Sequence, residues 1–243
     1  MPETEAFHLA PPTEEDLDVA EAAWQSGQAR YAMRTDDVWW RVLRASSQAE
    51  ARQFASTWYA SPVSQRFTPL YKGGQIVPAA YAGSTRVVSL WEVILRNVRH
   101  EGIRRISEHQ VRDRYLTEVS LQRRLHLFDI RRPRDSYLTT PGKRAPDLTA
   151  AWPEAYHLTR LWAQALYDRI PNLDGIIYES HQIAGHCVAL YQQEKTGTAL
   201  FTIEDDPQLI RDGDAREFLL REARKAGVSV DFGEVDDADD TET

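Results

Sequence analysis

The chain is poor in the features that mark secreted, membrane-bound and disulfide-linked proteins. It has one cysteine, Cys187, in 243 residues, which excludes an intramolecular disulfide. No stretch approaches the roughly 18 to 20 apolar residues that a membrane span needs. The acidic N-terminus has neither the basic start nor the apolar centre of a signal peptide. We therefore predict a cytoplasmic protein that makes no membrane contact.

Positive charge is outweighed by negative charge, with 29 Lys and Arg residues against 37 Asp and Glu. The formal net charge of −8 argues against nucleic acid as a direct partner, because binding to a phosphate backbone needs a positive surface. The exception is a basic surface formed by Arg96, Arg99, His100, Arg104, Arg105, His109 and Arg112, followed by Arg131, Arg132 and Arg134. This basic surface is either a solvated face or a place that receives an acidic partner or a pyrophosphate group.

The G-x-G-x-x-G fingerprint of dinucleotide-binding turns is absent, and the pair Gly73-Gly74 lacks the strand and helix context that the fingerprint requires. Strand patterns outnumber helix patterns, and several are joined too closely for helical crossovers. A doubly wound parallel sheet is therefore excluded. We predict an α/β fold of the α+β type, with a mixed, largely antiparallel two-sheet core and peripheral helices.

The chain divides into three predicted parts. Residues 1–35 form an acidic helical extension whose helix begins at Thr13, residues 36–233 form the main domain, and residues 234–243 are a disordered acidic tail. Strands are predicted near 38–44, 76–82, 117–121, 125–130, 174–179, 186–191, 198–203 and 228–232. Helices are predicted at 84–99, from about 153, and at 207–226, with a loop at 131–149.

The most informative stretch runs from Arg66 to Glu92, because it places an arginine, a tyrosine and a glutamate on three successive elements. These residue types suit an anionic, aromatic, ribose-bearing ligand. Ser84 is the predicted N-cap of the helix that carries Glu92. The predicted core-facing stripe of that helix is Val87, Trp91, Ile94 and Val98. Glu92 lies at the margin of the stripe, either as a structural partner for an arginine or as a catalytic group.

A set of short motifs, taken in order, resembles the RES-domain family, named for its arginine, glutamate and serine motifs. The resemblance covers about Trp40 to Phe232. It rests on Trp40-Arg41-Val42, Arg66-Phe67-Thr68-Pro69, Pro78-Ala79-Ala80-Tyr81, Leu90-Trp91-Glu92 and Asp174-Gly175-Ile176-Ile177-Tyr178-Glu179-Ser180. The order of the motifs, and the eleven residues from Tyr81 to Glu92, make the set more specific than any one motif.

The resemblance implies a fold like that of ADP-ribosyltransferases and a bacterial toxin that consumes NAD or transfers its ADP-ribose. NAD would be the substrate, and no other cofactor is expected. The family also implies a helix-turn-helix antitoxin as partner, with a homodimer within the complex as one expected assembly. The alternatives are an ADP-ribosyltransferase with a protein target and a non-catalytic regulatory or binding protein that keeps the fold.

The chemistry assigns a role to each motif residue. Cleavage of the nicotinamide–ribose bond passes through an oxocarbenium-like state, which a carboxylate at Glu92 would stabilise. Arg41 and Arg66 would bind the pyrophosphate through planar contacts. Tyr81 would offer a ring face, and Ser180 a hydroxyl. We predict Glu92, Arg41 and Tyr81 as catalytic residues and Arg66 and Ser180 as substrate-binding residues.

Each assignment has a structural alternative. Arg41 would otherwise form a structural ion pair, Tyr81 would be a core tyrosine, and Ser180 would cap a helix or turn. Two histidines, His181 and His186, have no accompanying cysteine or carboxylate set, so no metal site is predicted. Cys187 is predicted to be an inert core thiol.

Overall fold

The computed structural model describes residues 9–63, 65–95, 104–131, 148, 155–180, 182–192 and 199–232. The strands are β1 Arg30–Met33, β2 Val38–Arg44, β3 Leu70–Lys72, β4 Gln75–Val77, β5 Ala79–Gly83, β6 Arg105–Ile106, β7 Arg114–Leu121, β8 Leu125–Asp129, β9 Gly175–Glu179, β10 His186–Tyr191, β11 Phe201–Ile203, β12 Gln208–Leu209 and β13 Ser229–Val230. The helices are α1 Glu14–Gln25, α2 Gln48–Ser56, α3 Arg86–Leu90, α4 Glu108–Val111, α5 Tyr156–Arg169 and α6 Gly213–Lys225, and α3 continues into a π-helical segment, Trp91–Leu95.

Within the described ranges, nine strands form one mixed sheet in the order β1-β8-β9-β10-β5-β2-β7-β11, with β12 also paired to β7. The pair β8–β9 is parallel and the other pairs of this sheet are antiparallel, as predicted. The prediction of two sheets fits only in part. The strands form one hydrogen-bonded path, but β5 and β2 are joined by a single register pair, Trp40 with Gly83. The sheet is therefore nearly divided in two at this point.

The main sheet has apolar groups on both faces. Helices α1 and α5 cover one face, where Trp24 stacks on Phe128 at a ring distance of 6.3 Å. The other face is filled by a second cluster that includes Trp39, Val188 and Leu190. Strands β9 and β10 lie between the two clusters, and such double burial explains their nearly continuous apolar sequences.

The predicted N-terminal helix is confirmed and is bound to the body by polar and apolar contacts. Thr13 and Asp16 form the capping box that starts α1. Arg169 of α5 forms ion pairs with three carboxylates of α1, those of Glu14, Asp18 and Glu21. The same N-terminal segment supplies β1, which pairs with β8. Residues 234–243 and most of the predicted 131–149 loop lie outside the described residues.

Several predicted boundaries were wrong. The predicted strand at 76–82 is two strands, β4 and β5, of which β4 forms a hairpin with β3 around Gly73-Gly74. The predicted 207–226 helix begins only at Gly213, because Gln208–Leu209 pairs with β7. Helix α2 was not predicted, since only its small residues Ala51 and Ala55 are buried. None of the helices in the described part of the chain has the length and apolar character needed to cross a membrane.

Candidate active site

A cleft opens where β5 and β2 diverge beyond their single shared pair. Its empty volume, including the open solvent at its mouth, is about 530 Å³. The lining residues are Val42, Gln65, Arg66, Tyr81, Ala82, Gly83, Ser89, Glu92, Val93, Tyr156, Tyr178 and Cys187. Three of the five predicted site residues are in this list, namely Arg66, Tyr81 and Glu92, and a fourth, Ser180, bonds to Glu92.

Gly83 allows α3 to approach the end of β5 closely. A Cβ atom at this position would lie 2.7 Å from the backbone nitrogen of Ser89, so a larger residue would push the helix away. The N-cap of α3 is Thr85, whose hydroxyl accepts from Val88 N at 3.1 Å. The prediction of Ser84 as N-cap was therefore wrong by one residue. The Ser84 hydroxyl instead accepts from His186 N at 3.0 Å, which ties the helix start to β10.

Glu92 lies on the π-helical segment and is half-buried, as the position at the margin of the core face predicted. The predicted stripe was only partly right. Ile94 is buried, but Val87 and Trp91 are half-buried. The buried positions of the described part of this helix are Val88, Ser89, Leu90, Ile94 and Leu95, and Val98 lies outside the described residues. The change from α to π geometry after Leu90 adds a wider turn and rotates the later residues, and such turns are frequent at functional sites.

Ser180 holds the Glu92 carboxylate. Its hydroxyl donates to Glu92 Oε1 at 2.6 Å and accepts from the backbone nitrogens of Gln182 at 3.2 Å and Ile183 at 3.4 Å. The two backbone bonds orient the hydroxyl toward the carboxylate. Ser180 thus combines the predicted alternative, a turn cap, with a contact to the central acid of the cleft.

Arg66 lines the cleft and has donors that are unpartnered in the described part of the chain. The residue is only 7% exposed, yet its Nε and Nη1 atoms have no hydrogen-bond partner among the described residues. Its guanidinium carbon lies 5.4 Å from the ring centre of Tyr178 and 5.6 Å from that of Tyr156. Buried donors without partners are costly, and they are expected where a ligand supplies the acceptors.

The cleft favours positive charge on Arg66. Burial lowers the pKa of Arg66, but Tyr178, Glu92 and Tyr156 raise it by more, so the net shift is upward. The pKa of Tyr178 is raised well above its usual value, chiefly by burial and also by Cys187 and Glu92. At neutral pH the Tyr178 phenol is neutral, so the negative charge that favours the cationic guanidinium comes from Glu92.

Tyr81 is anchored by its hydroxyl. The oxygen accepts from Phe67 N at 3.3 Å and shares a hydrogen bond with the Thr68 hydroxyl at 3.1 Å. This matches the predicted alternative, in which the hydroxyl finds a backbone partner. The half-buried ring also lines the cleft, so the anchoring fixes a ring surface that a ligand can contact.

Arg41 does not line the cleft. Side chains alternate along a strand, and Val42 is the residue of this pair that lines it. Arg41 Nη1 donates to the carbonyl oxygens at the end of α2, those of Phe54 at 2.9 Å and Ala55 at 2.6 Å, with a third contact to Thr57 at 3.4 Å. Burial lowers its pKa to about 10, which leaves it charged at neutral pH. These contacts support the structural alternative, with carbonyls in place of the expected carboxylate, and pyrophosphate binding by Arg41 stays a prediction.

With the geometry established, comparison with known proteins gives the family. A family model described as the RES domain matches residues 38–212. The chain belongs to the RES domain family. The resemblance drawn from the motifs is thus confirmed, although the matched region ends before α6.

Among solved structures, this RES domain is similar to a chain in the crystal structure of the M. tuberculosis MbcT–MbcA toxin–antitoxin complex. The identity is 13%, the match covers 78% of this chain and 90% of that chain, and the TM-score is 0.47. No curated protein matches the chain. The predicted likeness to ADP-ribosyltransferases stays a prediction.

Nine of the twelve residues that line the RES cleft were not assigned to it from the sequence, and three of these nine, Tyr156, Tyr178 and Cys187, carry titratable groups. Tyr156 begins α5, and Tyr178 lies inside a motif that was quoted only for its serine. Cys187 is buried, as predicted for a core thiol, and also lines the cleft. Burial and the nearby Glu92 raise its pKa well above the usual value, which disfavours the reactive thiolate. The sequence contained one signal for Tyr178. It lies two residues before Ser180, and residues two apart on an extended strand point to the same face.

The described part of the basic surface is largely occupied by contacts within the chain. Arg104 donates to Ala226 O at 2.5 Å, while Arg105 pairs with Asp231 at 2.5 Å. Arg112 pairs with Glu108 at 3.8 Å. These contacts agree with the alternative of a solvated face for the described members, whereas 96–103 and 132–134 lie outside the described residues. No group of three or more His, Cys, Asp or Glu in the described ranges is arranged to hold a metal ion.

Proposed function

We propose that this RES protein is a toxin-like enzyme that cleaves the nicotinamide–ribose bond of NAD, with water or phosphate as acceptor. One observation carries the proposal. The same cleft contains a half-buried carboxylate held by Ser180 and a buried arginine with two donor atoms unpartnered among the described residues. This pairing suits a substrate with an anionic linker and a carbon that becomes positive during the reaction.

The carboxylate is suited to the bond-breaking step. As the bond from ribose to nicotinamide breaks, positive charge develops on the ribose carbon and ring oxygen, and the pyridinium leaves as a neutral molecule. No acid is needed for the leaving group. Glu92 would stabilise the developing charge, and its Oε2 atom would contact the ribose hydroxyls while Ser180 holds Oε1.

The other cleft residues bind and orient the substrate. Arg66 would donate to oxygens of the pyrophosphate from its guanidinium, whose Nε and Nη1 atoms have no partner among the described residues. The Tyr81 ring, fixed through its hydroxyl, would contact nicotinamide or ribose. Because a substrate fixed at both ends reacts as an almost intramolecular system, this positioning contributes to rate as well as to affinity.

The direct test is to incubate the purified protein with NAD and to follow nicotinamide release with and without inorganic phosphate. Release without phosphate indicates hydrolysis, and release that needs phosphate, with a phosphorylated ADP-ribose product, indicates phosphorolysis. The Glu92→Gln variant is the negative control. A folded wild-type protein that leaves NAD intact under both conditions would exclude this function and favour the non-catalytic alternative, while ADP-ribose on a cellular protein would favour the transferase alternative.

We infer the biological role, that of a cytoplasmic toxin held inactive by a helix-turn-helix antitoxin, from membership of the RES family. Expression of the active protein in bacteria should deplete NAD and halt growth, and co-expression of an adjacent antitoxin gene should restore both. Expression of Glu92→Gln at the same level is the matched control. Normal growth and NAD levels despite abundant soluble wild-type protein would contradict the toxin role.

A further inference from the structure

Arg66 is held in place by residues of a separate element, the first turn of α5. The Thr159 hydroxyl donates to the backbone carbonyl of Arg66, and Arg160 donates to the carbonyl of Gln65 at 3.4 Å. Tyr156, the first residue of α5 and three residues before Thr159, has its ring centre 5.6 Å from the Arg66 guanidinium carbon. One helical turn therefore contacts both the backbone and the side chain of the cleft arginine.

A second ring constrains the same guanidinium. The Tyr178 ring centre lies 5.4 Å from the Arg66 guanidinium carbon, and Tyr178 is itself fixed by an edge contact with Phe67 at 5.0 Å. An aromatic ring attracts a cation but accepts no conventional hydrogen bond from its N–H groups. The two rings can therefore stabilise the cation while leaving Nε and Nη1 free of partners among the described residues.

We propose that Tyr156 and Tyr178 are positioning residues, which hold the plane of the Arg66 guanidinium in the cleft wall so that it binds the oxygens of a pyrophosphate group. This inference rests on the proposed function for the identity of the ligand. A planar guanidinium gains most from such rings, because they fix its plane while its N–H groups still donate within that plane. A lysine ammonium at the same position has no plane to orient.

The test measures binding of inorganic pyrophosphate to the purified full-length chain by calorimetry. Tyr156→Leu removes the ring at a half-buried position, and we expect pyrophosphate to bind about tenfold more weakly, the effect of losing one desolvated cation–π contact. Tyr156→Phe keeps the ring but loses the hydroxyl that hydrogen-bonds Arg66, so its loss should be smaller than that of Tyr156→Leu and within about threefold of wild type. The matched control is Tyr71→Leu, which removes a tyrosine that is 49% exposed on β3 and should bind as wild type does.

A double-mutant cycle separates positioning from simple packing. If Tyr156 acts through the planar guanidinium, Tyr156→Leu should add less than about a twofold loss in an Arg66→Lys background, because the group that it orients is already gone. With NAD as substrate, Tyr156→Leu should raise KM by about the same factor as the pyrophosphate Kd and leave kcat within about twofold. A purely structural role would give equal losses in both backgrounds.

Several outcomes would overturn the inference. These are wild-type affinity for pyrophosphate in folded Tyr156→Leu, an undiminished loss in the Arg66→Lys background, and no pyrophosphate binding by the wild-type protein. If Tyr156→Leu does not fold, pentafluorophenylalanine at this position decides, since it keeps the ring size and removes the negative ring face. Weaker binding then supports the inference and unchanged binding overturns it. Pyrophosphate binding without nicotinamide release would contradict the proposed function alone. Nicotinamide release that is unchanged in Tyr156→Leu would contradict this inference alone.

Discussion

Two arginines of this RES domain are equally buried, each with 7% of its surface exposed, but their surroundings differ. Arg41 donates to carbonyl oxygens at the end of α2. Arg66 lies beside two tyrosine rings and has two nitrogen atoms without a partner among the described residues. Burial therefore does not distinguish a structural arginine from a binding arginine. The distinction lies in whether the chain itself supplies the acceptors.

The pKa values of the two residues follow the same division. Burial alone lowers the pKa of Arg41 to about 10, because the carbonyl partners carry no formal charge. Burial also disfavours charge on Arg66, but Tyr178, Glu92 and Tyr156 reverse the shift. A cleft that favours the cationic form of Arg66 and leaves two of its nitrogens without an acceptor among the described residues is suited to bind an anion. The predictions that follow test whether the two regions differ in function as they do in structure.

The largest effect is expected at the acid that shares the cleft with Arg66. Glu92→Gln keeps the shape of the side chain and removes its charge, so NAD turnover should fall by roughly 100-fold or more, as for loss of one well-placed electrostatic group. The melting temperature should change little. Nicotinamide release is the measurement, and Glu217→Gln, at an exposed position of α6, is the matched control. Near-wild-type turnover in a folded Glu92→Gln protein would remove Glu92 from the mechanism.

Arg41→Lys should damage stability and not binding. Lysine keeps the charge but cannot reproduce the guanidinium contacts to the end of α2, so the free energy of unfolding should fall by roughly 1–3 kcal/mol, the cost of leaving buried polar groups poorly satisfied. Urea unfolding measures this change. Calorimetry on a Glu92→Gln background should show unchanged NAD affinity. A clear loss of NAD affinity would instead restore the sequence-based prediction that Arg41 binds pyrophosphate.

Arg66→Lys should show the opposite pattern. Arg66 lines the cleft and two of its nitrogens have no partner among the described residues, so replacing the planar guanidinium should weaken NAD binding about tenfold, as expected for one lost charge-assisted hydrogen bond. Stability should be close to wild type, since no hydrogen bond of Nε or Nη1 to a described residue is lost. The same calorimetry and urea unfolding apply, with Arg41→Lys as the matched variant. If both lysine variants lose affinity equally, the two regions do not differ as proposed.

The sequence alone predicted those features that depend on residues close together in the chain. The capping box of Thr13 and Asp16 starts α1 as predicted, and β2 has the predicted bounds, Val38–Arg44. The motifs also predicted that Arg66, Tyr81, Glu92 and Ser180 belong to one site, and the first three line the cleft while Ser180 bonds to Glu92. Short-range hydrogen bonds and side-chain alternation lie within a few residues of each other, so a single segment records them.

The sequence was insufficient where the partner lies on a distant or weakly patterned segment. The sequence did not indicate the contacts of Arg41, because its acceptors belong to α2, a polar helix whose buried residues are two alanines. Tyr156 contacts Arg66 across 90 residues, and no local pattern reports such a pair. Side-chain alternation along β2 agrees with the placement of Arg41, because Val42 lines the cleft and its neighbour Arg41 lies on the other face of the strand.

The smallest expected effect concerns the hydroxyl that holds the central acid. Ser180→Ala removes the 2.6 Å bond to Glu92 Oε1 and leaves the carboxylate in place. Turnover should fall about fivefold, the scale of one net hydrogen bond of roughly 1 kcal/mol, with KM for NAD nearly unchanged, because the loss concerns orientation of a charge that acts in the transition state. Ser120→Ala is the matched control, since that hydroxyl bonds to Glu204, which does not line the cleft. If Ser180→Ala raises KM and leaves kcat intact, Ser180 contacts the substrate, as the sequence predicted. If it lowers kcat with KM unchanged, Ser180 acts through Glu92. The functional region that contains Arg66 then also includes the loop after β9.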